Sequence, residues 1–188
     1  MNKRHLGIIG LGVMGKNLAL NAESKGFSVA GFDRDPEKSK QVAAAAQGKN
    51  ITVTSSIQEF VPALEPSRRI WMMVPAGKPV DAVLEELKPH LSKDDIVVDG
   101  GNSHYKDTER RAKELETAGL RFFGMGVSGG EEGALRGPCL MPGGHEESYR
   151  RLEPLLTRMA AQTSEGACCT YLGPGGAGHY VKMVHNGI

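Results

Sequence analysis

The sequence has 188 residues, 39% hydrophobic and 24% charged, which fits one ordinary globular domain, with or without the start of a second, rather than a disordered chain. Its 23 basic and 22 acidic residues leave a formal net charge of +1, so no overall basic field exists to attract nucleic acid, and no stretch approaches the roughly 18 apolar residues of a membrane helix. Cys139, Cys168 and Cys169 show no zinc-site spacing and sequence neighbours rarely pair, so they read as reduced thiols of a cytoplasmic protein with no bound metal.

The residues from Met1 to His5 run straight into a short apolar segment that stops at Gly10, so no secretory signal fits. His5 to Ile9 reads as a buried strand. Val13 to Ser24 has helical spacing, with Met14, Leu18 and Ala22 on one face, and Phe27 to Phe32 is the next strand. Asp35 as N-cap and Pro36 at the first helical position open a helix that runs to Ala46. A strand at Ile51 to Val53, a helix at Ser56 to Leu64 and a strand at Arg69 to Val74, stopped by Pro75, follow. Next come a helix from Pro79 to Leu87, a strand from Ile96 to Val98, a helix from Lys106 to Ala118 and a strand from Leu120 to Val127.

This alternation predicts an α/β fold of Rossmann type: a doubly wound, mostly parallel sheet with helices on both faces. After Gly137 the pattern weakens: a strand at Cys139 to Met141, a helix at Glu146 to Ala160 and a strand at Cys169 to Leu172. A helix beginning near His179 carries no stop signal before Ile188, and reads as the start of a longer one. Residues 1–176 are therefore expected to form a dinucleotide-binding domain, and 177–188 to lead toward a further, all-helical domain.

Gly10-Leu11-Gly12-Val13-Met14-Gly15 is a G-x-G-x-x-G placed between the first strand and the first helix, the context in which it cradles a pyrophosphate at a helix N-terminus. The other reading is a turn that merely uses glycine. Asp33 ends the second strand, where an acid accepts hydrogen bonds from a ribose 2′-hydroxyl and favours NAD; Arg34 and Lys38 suit a 2′-phosphate and favour NADP. Asp35 fits a cap better than a ligand. Asn102, in Asp99-Gly100-Gly101-Asn102-Ser103, sits at the sheet's carboxyl edge with a donor and an acceptor, although the segment also suits a plain turn. Ser128, Gly129 and Gly130 could form a small anion pocket, while Ser128-x-x-Glu131 also spells a capping box. Lys182, His185 and Asn186 share one face of the last helix by their i, i+3, i+4 spacing, either as a functional stripe or as a solvated polar face.

Together Gly10 to Gly15, Asp99 to Ser103, Gly126 to Gly133 with Gly137-Pro138, Met141-Pro142-Gly143-Gly144, and Gly176-Ala177-Gly178-His179 through Lys182 resemble the 6-phosphogluconate dehydrogenases, over essentially the whole chain. The resemblance implies oxidation of 6-phosphogluconate at its C3 hydroxyl and decarboxylation to ribulose 5-phosphate in a cytoplasmic homodimer, without a metal. It implies Lys182 as general base. It implies Asn102, Ser128, Gly129, Gly130, His185 and Asn186 as substrate contacts. Met14 and Glu131 would lie near the nicotinamide. Leu11, Val13, Val74 and Ala76 join the glycines, Asp33, Arg34, Asp35, Lys38 and Asn102 as expected cofactor contacts. NADP is the implied cofactor, with NAD left open because Asp33-Arg34-Asp35 replaces the family's usual Asn-Arg-Thr, and Pro75 stands where a lysine is familiar. The glutamate expected as second acid would follow Ile188, so the 188 residues alone are expected to bind cofactor without catalysis. Another β-hydroxyacid dehydrogenase, or a dinucleotide-binding module without catalysis, remains an alternative.

Overall fold

The computed structural model describes residues 2–188. Seven strands form one sheet in the order β3-β2-β1-β4-β5-β6-β7: β1 (Leu6–Ile9), β2 (Val29–Phe32), β3 (Ile51–Val53), β4 (Arg69–Met72), β5 (Ile96–Asp99), β6 (Arg121–Ser128) and β7 (Cys139–Gly144). β1 to β6 pair in parallel, and β7 closes the edge antiparallel to β6. The order reverses between β1 and β4, and that switch point opens a crevice at the strands' carboxyl ends.

The strands bury both faces, and their side chains divide by period two. Ile8, Trp71, Val98 and Phe123 join one cluster with Leu18 and Ala22 of α1 (Val13–Ser24) and Leu152 and Leu156 of α7 (Glu146–Met159). Ile9, Met72, Val97 and Phe122 join the opposite cluster with Phe60 of α3 (Ile57–Phe60), Val80 and Leu84 of α4 (Lys78–Leu87) and Leu115 of α5 (Tyr105–Thr117). The first face also carries α2 (Pro36–Ala45), through Val42. It carries α6 (Gly130–Arg136) as well, where Ala134 O and Met159 O both accept from the buried Asn21 amide.

The chain-order reading holds for the parallel part of the sheet, with shifts of a residue or two at most ends. The C-terminal third departs from it. β7 continues through Pro142 to Gly144, because an edge position tolerates the missing proline N–H. Cys169 to Leu172 is not a strand: only Cys169 bridges Leu140. The local pairing is instead a small hairpin of β8 (Gln162–Thr163) and β9 (Gly166–Ala167). The last helix, α8 (Ala177–Gly187), begins two residues before His179. Ser128 is no cap, since it ends β6 opposite Cys139, and Gly129 stands at the N-cap of α6 without a side-chain bond.

Candidate active site

The glycine loop divides its labour. Gly10 has φ +90°, and a Cβ there would lie 2.4 Å from Met73 O. A Cβ on Gly15 would lie 1.8 Å from Gly10 O, so helix and strand touch through backbone alone. A Cβ on Gly12 would meet nothing within 4 Å. Gly12 is also the N-cap of α1, and no side chain satisfies the helix's first amides. The third position of the motif thus packs, and the second faces open space.

That space is a cleft of about 580 Å³. Gly10, Gly12, Val13, Met14 and Gly15 line one side, and Asp33, Arg34 and Lys38 one end. Val74, Pro75, Ala76 and Asn102 close the other wall. Of the expected cofactor contacts, Leu11, Asp35 and Glu131 lie outside this lining. Leu11 is buried against Gly31, Asp35 accepts from Glu37 N at 3.0 Å as the cap of α2, and Glu131 is exposed on α6.

Asp33 turns inward to its own backbone. One carboxylate oxygen accepts from Leu11 N at 2.6 Å and the other from Asp35 N at 2.8 Å, so it stitches the end of β2 to the glycine loop. A carboxylate accepts up to about four hydrogen bonds, which leaves capacity for a ribose hydroxyl. Both cations at this end are paired: Arg34 Nη2 donates to Glu86 Oε1 at 2.7 Å, and Lys38 lies 3.8 Å from Asp35.

A smaller cavity of about 180 Å³ adjoins through Asn102, which lines both; Ser103, His104, His179, Lys182, Met183 and Asn186 complete it. The polar stripe of α8 is therefore split. Lys182 is 8% exposed and Asn186 faces the same cavity, whereas His185 is exposed and lies outside its lining. Burial pushes the Lys182 amine below the usual lysine range, and the nearby Cys139 opposes this more weakly. Ser128 and exposed Gly129 and Gly130 directly follow Val127, which lines the larger cleft.

Glycines seat the lysine. A Cβ on Gly126 of β6 would lie 2.5 Å from Lys182 Cβ, and one on Gly143 would lie 2.2 Å from Gly178 N. A buried polar network behind the cavity escaped the sequence reading. Asp99 accepts from Gly101 N at 3.0 Å and Ser103 Oγ at 2.6 Å, which fixes the turn carrying Asn102. Arg111, 1% exposed, lies 3.9 Å from Asp99 and donates to Asp81 at 2.8 and 3.1 Å and to Gly77 O at 3.0 Å. His179 Nδ1 meets Thr108 Oγ1, linking α8 to α5.

The sequence profile for the NAD binding domain of 6-phosphogluconate dehydrogenase matches residues 5–173. The chain belongs to this family. It is 60% identical to a decarboxylating 6-phosphogluconate dehydrogenase of Synechocystis sp., covering 100% of this chain and 40% of that protein. Identity to the NADP(+)-dependent, decarboxylating enzyme of Bacillus subtilis is 56%, with the same coverage. The Plasmodium falciparum 6-phosphogluconate dehydrogenase structure, described with NADP+ and with 6-phosphogluconate, superposes with a TM-score of 0.92 at 39% identity, over 97% of this chain and 39% of that one. The chain thus spans about 40% of the length of these relatives.

Proposed function

We propose that the chain is the nucleotide-binding part of an NADP-linked, decarboxylating 6-phosphogluconate dehydrogenase. Residues 1–176 bind the dinucleotide, and 177–188 lead toward the rest of a cytoplasmic homodimer. The observation that carries this reading is the buried Lys182 amine in a cavity joined by Asn102 to the glycine-loop cleft. Open space over Gly12 at an uncapped helix N-terminus fits a pyrophosphate. Among the described residues no helix is long and apolar enough to cross a membrane.

The bound nicotinamide supplies a hydride acceptor. Neutral Lys182 Nζ takes the proton of the substrate C3 hydroxyl while the C3 hydride departs, leaving a ketone. The ammonium so formed holds that proton against the ketone oxygen. The C1–C2 bond then breaks as carbon dioxide leaves; its pair forms the C2–C3 double bond, the carbonyl π pair moves onto the C3 oxygen, and Lys182 returns its proton there, giving the enol of ribulose 5-phosphate and the neutral amine. Asn102 and Asn186 orient the sugar hydroxyls from two walls of the cavity, and Ser128, Gly129 and Gly130 present donors to the substrate carboxylate. The test is turnover of the full-length protein on 6-phosphogluconate and on 3-hydroxyisobutyrate with either dinucleotide. Selective use of 6-phosphogluconate is expected; preference for 3-hydroxyisobutyrate would refute the reading.

A further inference from the structure

Arg34 is the cation best placed for a 2′-phosphate, yet its Nη2 is engaged by Glu86 Oε1 at 2.7 Å and lies 3.5 Å from Ala82 O. Glu86 belongs to α4, opposite the glycine loop, and lies outside the lining of the cofactor cleft. Arg34 and Glu86 both line a second cavity of about 920 Å³, floored by Phe32, Val53 and Ile57, so the ion pair stands between two open spaces and the guanidinium has room on either side. Asp33, Arg34 and Lys38 line this end of the cleft, and both cations are paired with carboxylates outside its lining, Arg34 with Glu86 and Lys38 with Asp35.

We infer that Glu86 is a specificity-determining residue that weakens the preference for NADP over NAD by competing for Arg34. This rests on the dinucleotide-binding reading above. A 2′-phosphate must either take Nη2 from Glu86 or lie beside its carboxylate, and a dianion meets a cost on both routes. A ribose with a free 2′-hydroxyl meets neither, because it has no need of the guanidinium. The ion pair is half-exposed at both ends, so the effect is modest and falls as salt screens it.

The experiment is calorimetric titration of the intact protein with NADP and with NAD at fixed, low ionic strength, for wild type, Glu86→Gln and Glu86→Ala. The alanine variant shows whether the glutamine amide still detains Arg34. NADP affinity is expected to rise by up to about fivefold in both variants, the worth of an exposed ion pair, with NAD affinity unchanged. Adding Arg34→Met should erase most of the gain, since Glu86 acts chiefly through that guanidinium. An NADP-to-NAD ratio that stays constant, or a gain that survives Arg34→Met undiminished, overturns the role of Glu86 as a competitor for Arg34 while nucleotide binding itself stands. Failure of the wild type to bind either dinucleotide overturns both readings.

Discussion

His179 Nδ1 lies 2.6 Å from Thr108 Oγ1, and the same hydroxyl reaches His104 O at 3.4 Å. A hydroxyl has one proton to give. Either tautomer of His179 satisfies this pair: Nδ1–H donates to Thr108 Oγ1, which gives its own proton to the carbonyl, or a bare Nδ1 accepts the hydroxyl proton. Burial pushes the His179 pKa down; the Asp99 carboxylate opposes this, and Arg111 adds to it. The ring is thus neutral in the fold. Thr108→Val is expected to destabilise by about 1–3 kcal/mol, the cost of leaving the buried ring nitrogen without a partner, and Thr108→Ser by much less. Denaturant midpoints with unchanged m-values would check this.

The same ring makes a pH signature. Its pKa is lowered in the fold, so the unfolded state binds more protons as pH falls below the ordinary 6.5. Stability is therefore full above that value and declines as pH drops toward the folded pKa. His179→Gln is expected to flatten this decline relative to wild type in a pH series of denaturant melts. An identical slope in the two proteins would assign the decline to other groups.

Lys182 must lose its proton before it can act as a base. Burial favours that loss, so kcat/KM of the full-length protein should rise with pH along a limb centred below the ordinary lysine value. Lys182→Met should reduce turnover about a thousandfold while leaving dinucleotide affinity close to wild type. Near-normal turnover in that variant would exclude the assignment.

Gly12 and Gly15 should fail differently when substituted. Gly12→Val adds atoms where the protein has none, so the fold should persist and dinucleotide binding should be lost. Gly15→Ala drives a methyl into Gly10 O, so the loop itself should deform and stability should fall. Thermal melts paired with NADP titration separate the two outcomes.

Asp81 is the main partner of the buried Arg111, whose guanidinium holds the Asp81 carboxyl down at about 2. Because that pKa is depressed, the pair's contribution is present above the ordinary 3.8 and is lost as pH falls through the folded value. Asp81→Asn removes the near counter-charge and leaves Arg111 with Gly77 O, one neutral amide oxygen and a distant Asp99. The expected loss is about 2 kcal/mol, less than for a fully buried pair because Asp81 itself is partly exposed. Equilibrium unfolding at neutral pH would measure it.

The parallel core was readable because each strand is a short apolar run and each helix carries its own punctuation, as Asp35-Pro36 does for α2. The hairpin of β8 and β9 was not readable, because Gln162, Thr163 and Gly166 are exposed and leave no hydrophobic period to follow. The glycine loop announced itself by spacing and context, whereas spacing left the Lys182 stripe open and only the family resemblance singled that residue out. The bond from Leu11 N to Asp33 could not be foreseen, since it depends on how two loops twenty-two residues apart fold against each other. Arg111 went unmarked for a related reason: on a highly charged helix nothing in the spacing separates this buried arginine from Arg110, which is exposed. Glu86 likewise reads as an ordinary helix-surface acid until α4 is seen beside Arg34.

The seating of α8 on Gly126 and Gly143 separates two kinds of sequence change. The amine of Lys182 takes its height above the sheet from main-chain contact, with Gly178 lying against the β6 and β7 backbone. Val181 and Val184 are exposed and lie outside the cavity lining. Substitutions on the outer side can remodel whatever surface meets this helix without moving the Lys182 amine, whereas a single methyl on the inner side would lift it. The helix behaves as a rail with one fixed and one negotiable flank, and neighbouring architecture can diversify while the Lys182 amine stays put.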